Sequence, residues 1–462
     1  MEGVHARSFL AFLVVSVTSL LPYNLFMNAH QYFFYKLRNA TDLSADGLRM
    51  SDHEVMEALF GRTYEGWFTV TSGVACILGS VLNTATTKYL SNGFRVLSGH
   101  AIVLLALLPT VLFTFIDTDA DQTHFFWLSM VFSSIASMGS MGLIGAGIMG
   151  LAGGFPHSYV QGVMIGQSVA GVFSSVLSIA CQALTSNAIF SGRIYFGLAV
   201  GWTLLSIACY FWLIRSDYAK GVIDRYELLV SDAYDDRSDR APLMAAMVED
   251  EEQEEEDEDG LGDPTMRRAE LNDERVVESL RVDERPTLMQ TYGAVWNQAK
   301  SELLLCAFIL FVTLSAFPAV SSLVKTQATN PTWKAYFTSI CCFLLFNICD
   351  CVGRVTAMQY EVSSSVLTKL SAARILLIPV IFFCDVSPRY HTGTLFRFDA
   401  VFVLANMALA LSQGFCIAHA SVKVFVPVSP ELRESAGSLL ALACVFAALM
   451  GSAVGIGLVS IA

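Results

Sequence analysis

The run Phe343-Leu-Leu-Phe-Asn347-Ile-Cys-Asp350-Cys-Val-Gly353-Arg354 decides the fold. It is an apolar stretch that carries an amide, a carboxylate and a guanidinium. Asn347, Asp350 and Arg354 are spaced i, i+3, i+7, so a helix sets all three on one face. A charge at the centre of a bilayer costs about 2.5–3.5 kcal/mol on insertion scales, so such groups turn to a protein interior or a wet cavity and find a partner there. The spacing therefore predicts a membrane helix that lines a polar cavity holding a solute. The same residues also fit a plainer role, an Asp–Arg pair that only locks helices together.

Composition agrees with a membrane setting. Of 462 residues, 54% are hydrophobic and 15% charged, with a mean hydropathy of +0.54; soluble domains carry about 25% charged residues. The charges are concentrated in one segment, which is too short and too polar to be a separate enzyme domain. The net charge of −13 owes much to one acidic run, and no basic patch suits a nucleic acid. All eleven cysteines lie inside apolar runs, where Cys acts as a small hydrophobe. There is no Cys-x-x-Cys pair and no His/Cys cluster, so neither a metal site nor a disulfide framework is expected. No nucleophile–base pair and no phosphate loop stands out, so no enzymatic activity and no cofactor are expected.

Working outward, eleven apolar runs are long enough to span a bilayer, which takes about 20 residues. Six precede a polar segment: 8–34, 64–89, 96–116, 125–151, 158–184 and 194–214. Five follow it: 303–324, 333–358, 366–384, 400–425 and 435–460. The chain is expected to be an all-α polytopic membrane protein in a 6+5 arrangement. Its parts are an N-terminal bundle over 1–215, an acidic disordered loop over 216–300 and a C-terminal bundle over 301–462. The first run is too long for a signal peptide and reads as a retained helix. His5 and Arg7 before it, and the basic residues flanking the polar segment (Arg215, Lys220, Arg225, then Arg267, Arg268, Arg281, Arg285), put the N-terminus and the long loop in the cytoplasm and the C-terminus outside. Lys325 and Lys334, on a loop assigned outside, run against that rule. Asn39-Ala-Thr41 is an N-glycosylation sequon in a loop assigned outside. The acidic run Glu249–Asp259 reads as a solvated linker, and Asp239–Met244 has the pattern of an acidic dileucine sorting signal.

Other polar positions are candidates for a solute pathway. In the first run Leu20, Tyr23, Asn24 and Met27 lie near one face, and Pro22 frees a backbone carbonyl, which predicts a local kink. Tyr23 and Met27 suit packing on a flat ring; the alternative is ordinary core. His30, His157 and His419 are scattered and read as satisfied core groups rather than a proton relay. Arg374 reads as a snorkelling anchor, and Ser412-Gln413-Gly414 as a polar, flexible point on a pathway.

These residues resemble the equilibrative nucleoside transporters of the solute-carrier type. Leu20-Leu21-Pro22-Tyr23-Asn24-Leu-Phe26-Met27 is similar to that family's first-helix motif, with Tyr for its Trp. Gly150-Leu151-Ala152-Gly153 with Pro156 and Tyr159 resembles the turn between its fourth and fifth helices, and Gly166-Gln167 with Ala170-Gly171 the segment after it. Phe346-Asn347-Ile-x-Asp350-x-x-Gly353-Arg354 resembles its eighth-helix motif. The resemblance implies a major-facilitator-like fold with the solute held between two halves. Asp350 and Arg354 are then expected at the ribose, and Tyr23 and Met27 beside the base, with Leu20 and Phe343 in the same lining. Asn24 and Asn347 support or touch the solute, and Gly150, Gly153, Pro156, Gln167 and Gly353 serve gating and helix packing. The implied activity is facilitated diffusion of nucleosides such as adenosine and uridine across the plasma membrane, without a cofactor. Nucleobases or a proton-coupled variant are the alternatives, and a receptor signalling through the acidic loop is a different class. One departure stands out: animal members often carry a glutamine five residues before the Gly-Leu-Ala-Gly run, and this chain has Gly145 there.

Overall fold

Several helices begin where a side chain takes up free backbone N–H groups. Asn187 accepts from the N–H groups of Ile189 and Phe190, and Asn330 from those of Thr332 and Trp333, with Pro331 at the first helical position. Thr287 and Gln290 form a reciprocal capping box. The protein is seen in a computed structural model that describes residues 2–37, 62–87, 89–118, 121–185, 187–225, 287–387, 389 and 391–461. Asn39 and the runs 239–244 and 249–259 lie outside the described residues.

Among the described residues eleven helices are long and apolar enough to cross a membrane. They are α1 (Glu2–Asn28), α2 (Arg62–Thr86), α3 (Asn92–Phe113), α4 (Gln122–Gly153), α5 (His157–Leu184), α6 (Ala188–Arg215), α7 (Leu288–Leu323), α8 (Pro331–Ala357), α9 (Ser364–Phe382), α10 (Asp399–Phe425) and α11 (Pro430–Ile461). No strand is present among the described residues beyond an isolated bridge between Val324 and Val386. In a bilayer every backbone group must be satisfied internally, which leaves helices as the spanning form for such a chain.

The apolar runs misplace some boundaries. α7 starts at Leu288, well before the run that begins at 303, because the Thr287–Gln290 capping box begins the helix in polar sequence. Residues 217–225 are likewise helical beyond α6. α1 is helical through Pro22. α4 and α8 contain wide π-helical turns, Met138–Gly145 and Thr338–Leu344, in mid-span.

The six helices before the long connection pack mainly among themselves, and so do the five after it. In the first half, α1 lies against α5 and α6, and α4 against α2 and α3. In the second, α8 lies against α10, and α7 against α11. The halves meet where α5 packs on α8, and where α11 packs on α2 and the end of α4. Aromatic rings fill the first half: Phe12 packs on Phe155 and Tyr159, and Phe26 on Phe33, Phe68 and Phe196. In the second half Phe317 and Phe346 stack with centroids 3.7 Å apart. The connection after α7 is clasped to that after α9: Lys325 N–H donates to the Asp385 carbonyl and Ser387 N–H to that of Leu323, both at 2.9 Å.

Candidate functional site

α8 packs on α5 at the seam between the halves and comes into backbone contact with α10. A Cβ on Gly414 of α10 would sit 2.0 Å from the Asp350 carbonyl oxygen, and one on Gly353 of α8 would sit 2.3 Å from that of Leu411. Any side chain at either position would push the helices apart. Beside this contact, the side chains of Asn347 and Arg354 reach α5.

Arg354 Nε donates to Asp350 Oδ2 at 2.9 Å, one turn apart on the same helix. Arg354 Nη1 donates to the Met164 carbonyl of α5 at 2.8 Å and lies 3.7 Å from its sulfur. Asn347 Nδ2 donates to Ser175 Oγ at 3.0 Å, with its amide pressed against Gly171. Asp350 and Arg354 are 5% and 6% exposed. The pair is thus buried within α8, and Arg354 ties it to α5. It is not closed, however: Asp350 Oδ1 is buried and has no hydrogen-bond partner among the described residues. A carboxylate oxygen has two lone-pair directions and needs a donor.

α1 reaches the neighbouring serine of α5 through Asn28, not through the residues singled out in the sequence. Asn28 Nδ2 donates to Ser174 Oγ at 3.3 Å, so consecutive serines of α5 hold α1 and α8. Leu20, Tyr23 and Asn24 are half-buried, Met27 is buried, and the Tyr23 ring packs on Phe68 with centroids 5.2 Å apart. Asn24 Nδ2 donates to the Leu20 carbonyl of its own helix, a supporting role. Phe343 is buried in the π-helical part of α8 beside Phe317, with ring centroids 5.8 Å apart. Gln167 is half-buried on α5 with no hydrogen-bond partner among the described residues. Gly145 faces Ser19 of α1, where a Cβ would lie 3.5 Å from the Ser19 Cβ.

Arg374 corrects an expectation. It is not a snorkelling anchor but is 2% exposed, in mid-span of α9. Its Nε donates to Ser412 Oγ of α10 and its Nη1 to the Ile309 carbonyl of α7, at 3.1 and 3.0 Å, while Nη2 donates to Thr313. A guanidinium with five donors can tie three helices from one point.

A second polar cluster lies at the end of the bundle that carries the α2–α3, α4–α5 and α10–α11 turns. Glu434, at the start of α11, accepts from Arg95 of α3 and from Asn92 Nδ2, the latter at 3.2 Å. Arg95 Nη1 also donates to Asn83 Oδ1 at 2.8 Å, Asn83 Nδ2 to Ser438 Oγ at 3.1 Å, and Asn92 Nδ2 to the Gly147 carbonyl at 2.9 Å. Around it the backbones touch: a Cβ on Gly437 would sit 2.6 Å from the Gly150 Cα, and one on Gly153 2.6 Å from the Phe425 ring. Pro156 is exposed and caps α5 just beyond. Sequence reading did not find this latch, because Arg95 and Glu434 each look like ordinary flanking charges at the start of an apolar run.

A family model described as "Nucleoside transporter" matches residues 129–458, a stretch that includes Gly150–Gly153, Asp350, Arg354 and Glu434. The chain belongs to the nucleoside transporter family. Relatives include human equilibrative nucleoside transporter 2, 28% identical over 93% of this chain and 92% of that one, and human equilibrative nucleoside transporter 1, 28% identical over 94% and 92%. Rat equilibrative nucleoside transporter 3 is 25% identical, covering 96% and 87%. Among solved structures, the major facilitator superfamily proton:xylose symporter XylE of E. coli has a TM-score of 0.57 at 10% identity, covering 97% of this chain and 86% of that one. The human organic anion transporter MFSD10 has 0.55 at 11%, covering 99% and 94%. The major-facilitator-like arrangement expected from the sequence is the one found. This family member is a multi-pass membrane protein of all-α architecture.

Proposed function

We propose that the chain lets nucleosides, adenosine and uridine among them, equilibrate across the plasma membrane by alternating access, with the solute bound at the seam between the halves. The observation that carries this reading is the buried Asp350 Oδ1 left without a donor beside Arg354. A vicinal diol supplies hydroxyl donors to that oxygen, and the remaining guanidinium N–H groups serve as donors to hydroxyl oxygens. Tyr23 and Met27, on the α1 side, supply surfaces for a planar base. Membrane-proximal basic residues support a cytoplasmic N-terminus and long loop, with an external C-terminus. The Arg95–Glu434 latch is then on the cytoplasmic side and holds that side shut, as rocking of two halves about a central site requires of one of its states.

The test is uptake of labelled adenosine, uridine and free nucleobases by a transporter-null host expressing the chain, with and without an inward acid gradient. Saturable nucleoside uptake at equal rates in both conditions is expected. Uptake of bases alone, or uptake that depends on the gradient, overturns the proposal in favour of a nucleobase carrier or a proton-coupled one.

A further inference from the structure

Gln413 of α10 is 6% exposed, and its Oε1 has no hydrogen-bond partner among the described residues. A buried primary amide with an idle carbonyl calls for an explanation. The register of α10 places it. Residue 413 follows Asn406 by seven positions and so lies near the same line along the helix. Asn406 Nδ2 donates to the Cys341 and Cys342 carbonyls of α8, at 3.0 and 3.1 Å. Further along, Ser421 Oγ lies 3.5 Å from the sulfur of Met164, the residue of α5 that holds Arg354. On the other side of α10, Leu404 and Leu411 are exposed. Gln413 therefore sits on the inward stripe of α10, between its contacts with α8 and with α5. Its neighbour Gly414 touches the Asp350 backbone directly.

We propose that Gln413 is a specificity-determining residue that hydrogen-bonds the polar edge of the nucleobase. The inference rests on the reading of Asp350 and Arg354 as the ribose site. A carboxylate and a guanidinium together suit a diol. An amide offers an acceptor and a donor side by side, which matches the amino/ring-nitrogen pair of adenine or the carbonyl/N–H pair of uracil. An aliphatic side chain of similar size fills the same volume without reading either edge. Uncharged hydrogen bonds discriminate modestly unless loss of the ligand group leaves a buried partner unmatched, as it would here.

The experiment uses the full-length chain in a transporter-null host. Inhibition of labelled uridine uptake is measured for adenosine and for purine riboside, which lacks the 6-amino group. Surface abundance is measured in parallel. Gln413→Met keeps size and removes the amide. The expected result is that the wild-type preference for adenosine over purine riboside falls by about fivefold to tenfold in the variant, at normal abundance. An unchanged ratio overturns the proposal and leaves Gln413 as packing. If Gln413→Met does not reach the membrane, Gln413→Glu is read instead: it keeps an acceptor but loses the amide donors, and an unchanged order of adenosine, uridine and purine riboside overturns the proposal equally. Loss of all nucleoside uptake by the wild-type chain would sink the ribose-site reading itself, a result separate from an unchanged ratio in a working carrier.

Discussion

Asp350 and Arg354 depend on each other unequally, and substitution should show it. Asp350→Asn keeps the shape and still accepts from Arg354, so the variant should fold and reach the surface at near-normal abundance. It loses the charged acceptor offered to a hydroxyl, and hydrogen bonds to charged groups are worth about 1.5–3 kcal/mol. Nucleoside uptake at low concentration should then fall by about tenfold to a hundredfold, as read by initial rates corrected for surface protein. Arg354→Met instead strips a buried carboxylate of its partner, which costs about 3–5 kcal/mol, so this variant should be lost mainly through abundance and detergent stability. Arg374 gives a third case. Arg374→Lys keeps the charge but replaces a fork that binds Ser412, Ile309 and Thr313 with one ammonium. It should lower the melting temperature of the purified carrier while the selectivity among nucleosides is unchanged. The first pair was legible in the sequence, because a carboxylate and a guanidinium in an apolar run need a reason. The role of Arg374 was not: nothing in its own neighbourhood names Ile309 or Thr313, which come from a helix about sixty positions away.

At the scale of elements, glycine placement decides how near the helices come. Gly353 and Gly414 set α8 against α10 at backbone contact. Gly414→Ala would put a methyl group 2.0 Å from the Asp350 carbonyl oxygen, and backbone cannot yield as a flexible side chain can. The variant should lose transport even where some protein reaches the surface, because the shift moves Asp350 itself. Gly197 on α6 is the control: a Cβ there meets nothing within 4 Å. Gly197→Ala should leave transport intact and slightly raise stability, since Ala favours helix over Gly by about 1 kcal/mol. Both effects are read by uptake and by thermal unfolding in detergent. Helix number and order were plain from apolar runs, since a bilayer demands length. The start of α7 was missed because a capping box works in polar sequence and leaves no hydropathy signal. The π-helical turns of α4 and α8 also leave none, because their residues are apolar either way.

For the whole molecule, the polar cluster around Arg95 and Glu434 ties one end of the bundle together. Arg95, Asn83, Asn92, Glu434 and Ser438 join three helices at one end of the bundle, and the opposite end shows a thinner link between halves, with Gln182 Nε2 3.5 Å from the Ala335 carbonyl. Interactions present in one conformation and absent in the other set the balance between the two, and each 1.4 kcal/mol moves it tenfold. Arg95 is 2% and Glu434 29% exposed, so the pair is partly desolvated and stronger than a surface ion pair. Glu434→Gln should therefore open this end: amide hydrogen exchange should quicken in residues 150–157 and 430–438 and not in 331–345. The apparent affinity for nucleoside presented from outside should weaken at the same time, because fewer carriers offer the outward site. Arg95→Met should do the same, and the double variant should be no worse than the more damaging single one, since either change alone already breaks the pair. Summed losses in the double variant would instead mean that the two residues act independently, the guanidinium through Asn83 and the carboxylate through Asn92. Faster exchange spread evenly over both ends would indicate general loosening rather than a gate.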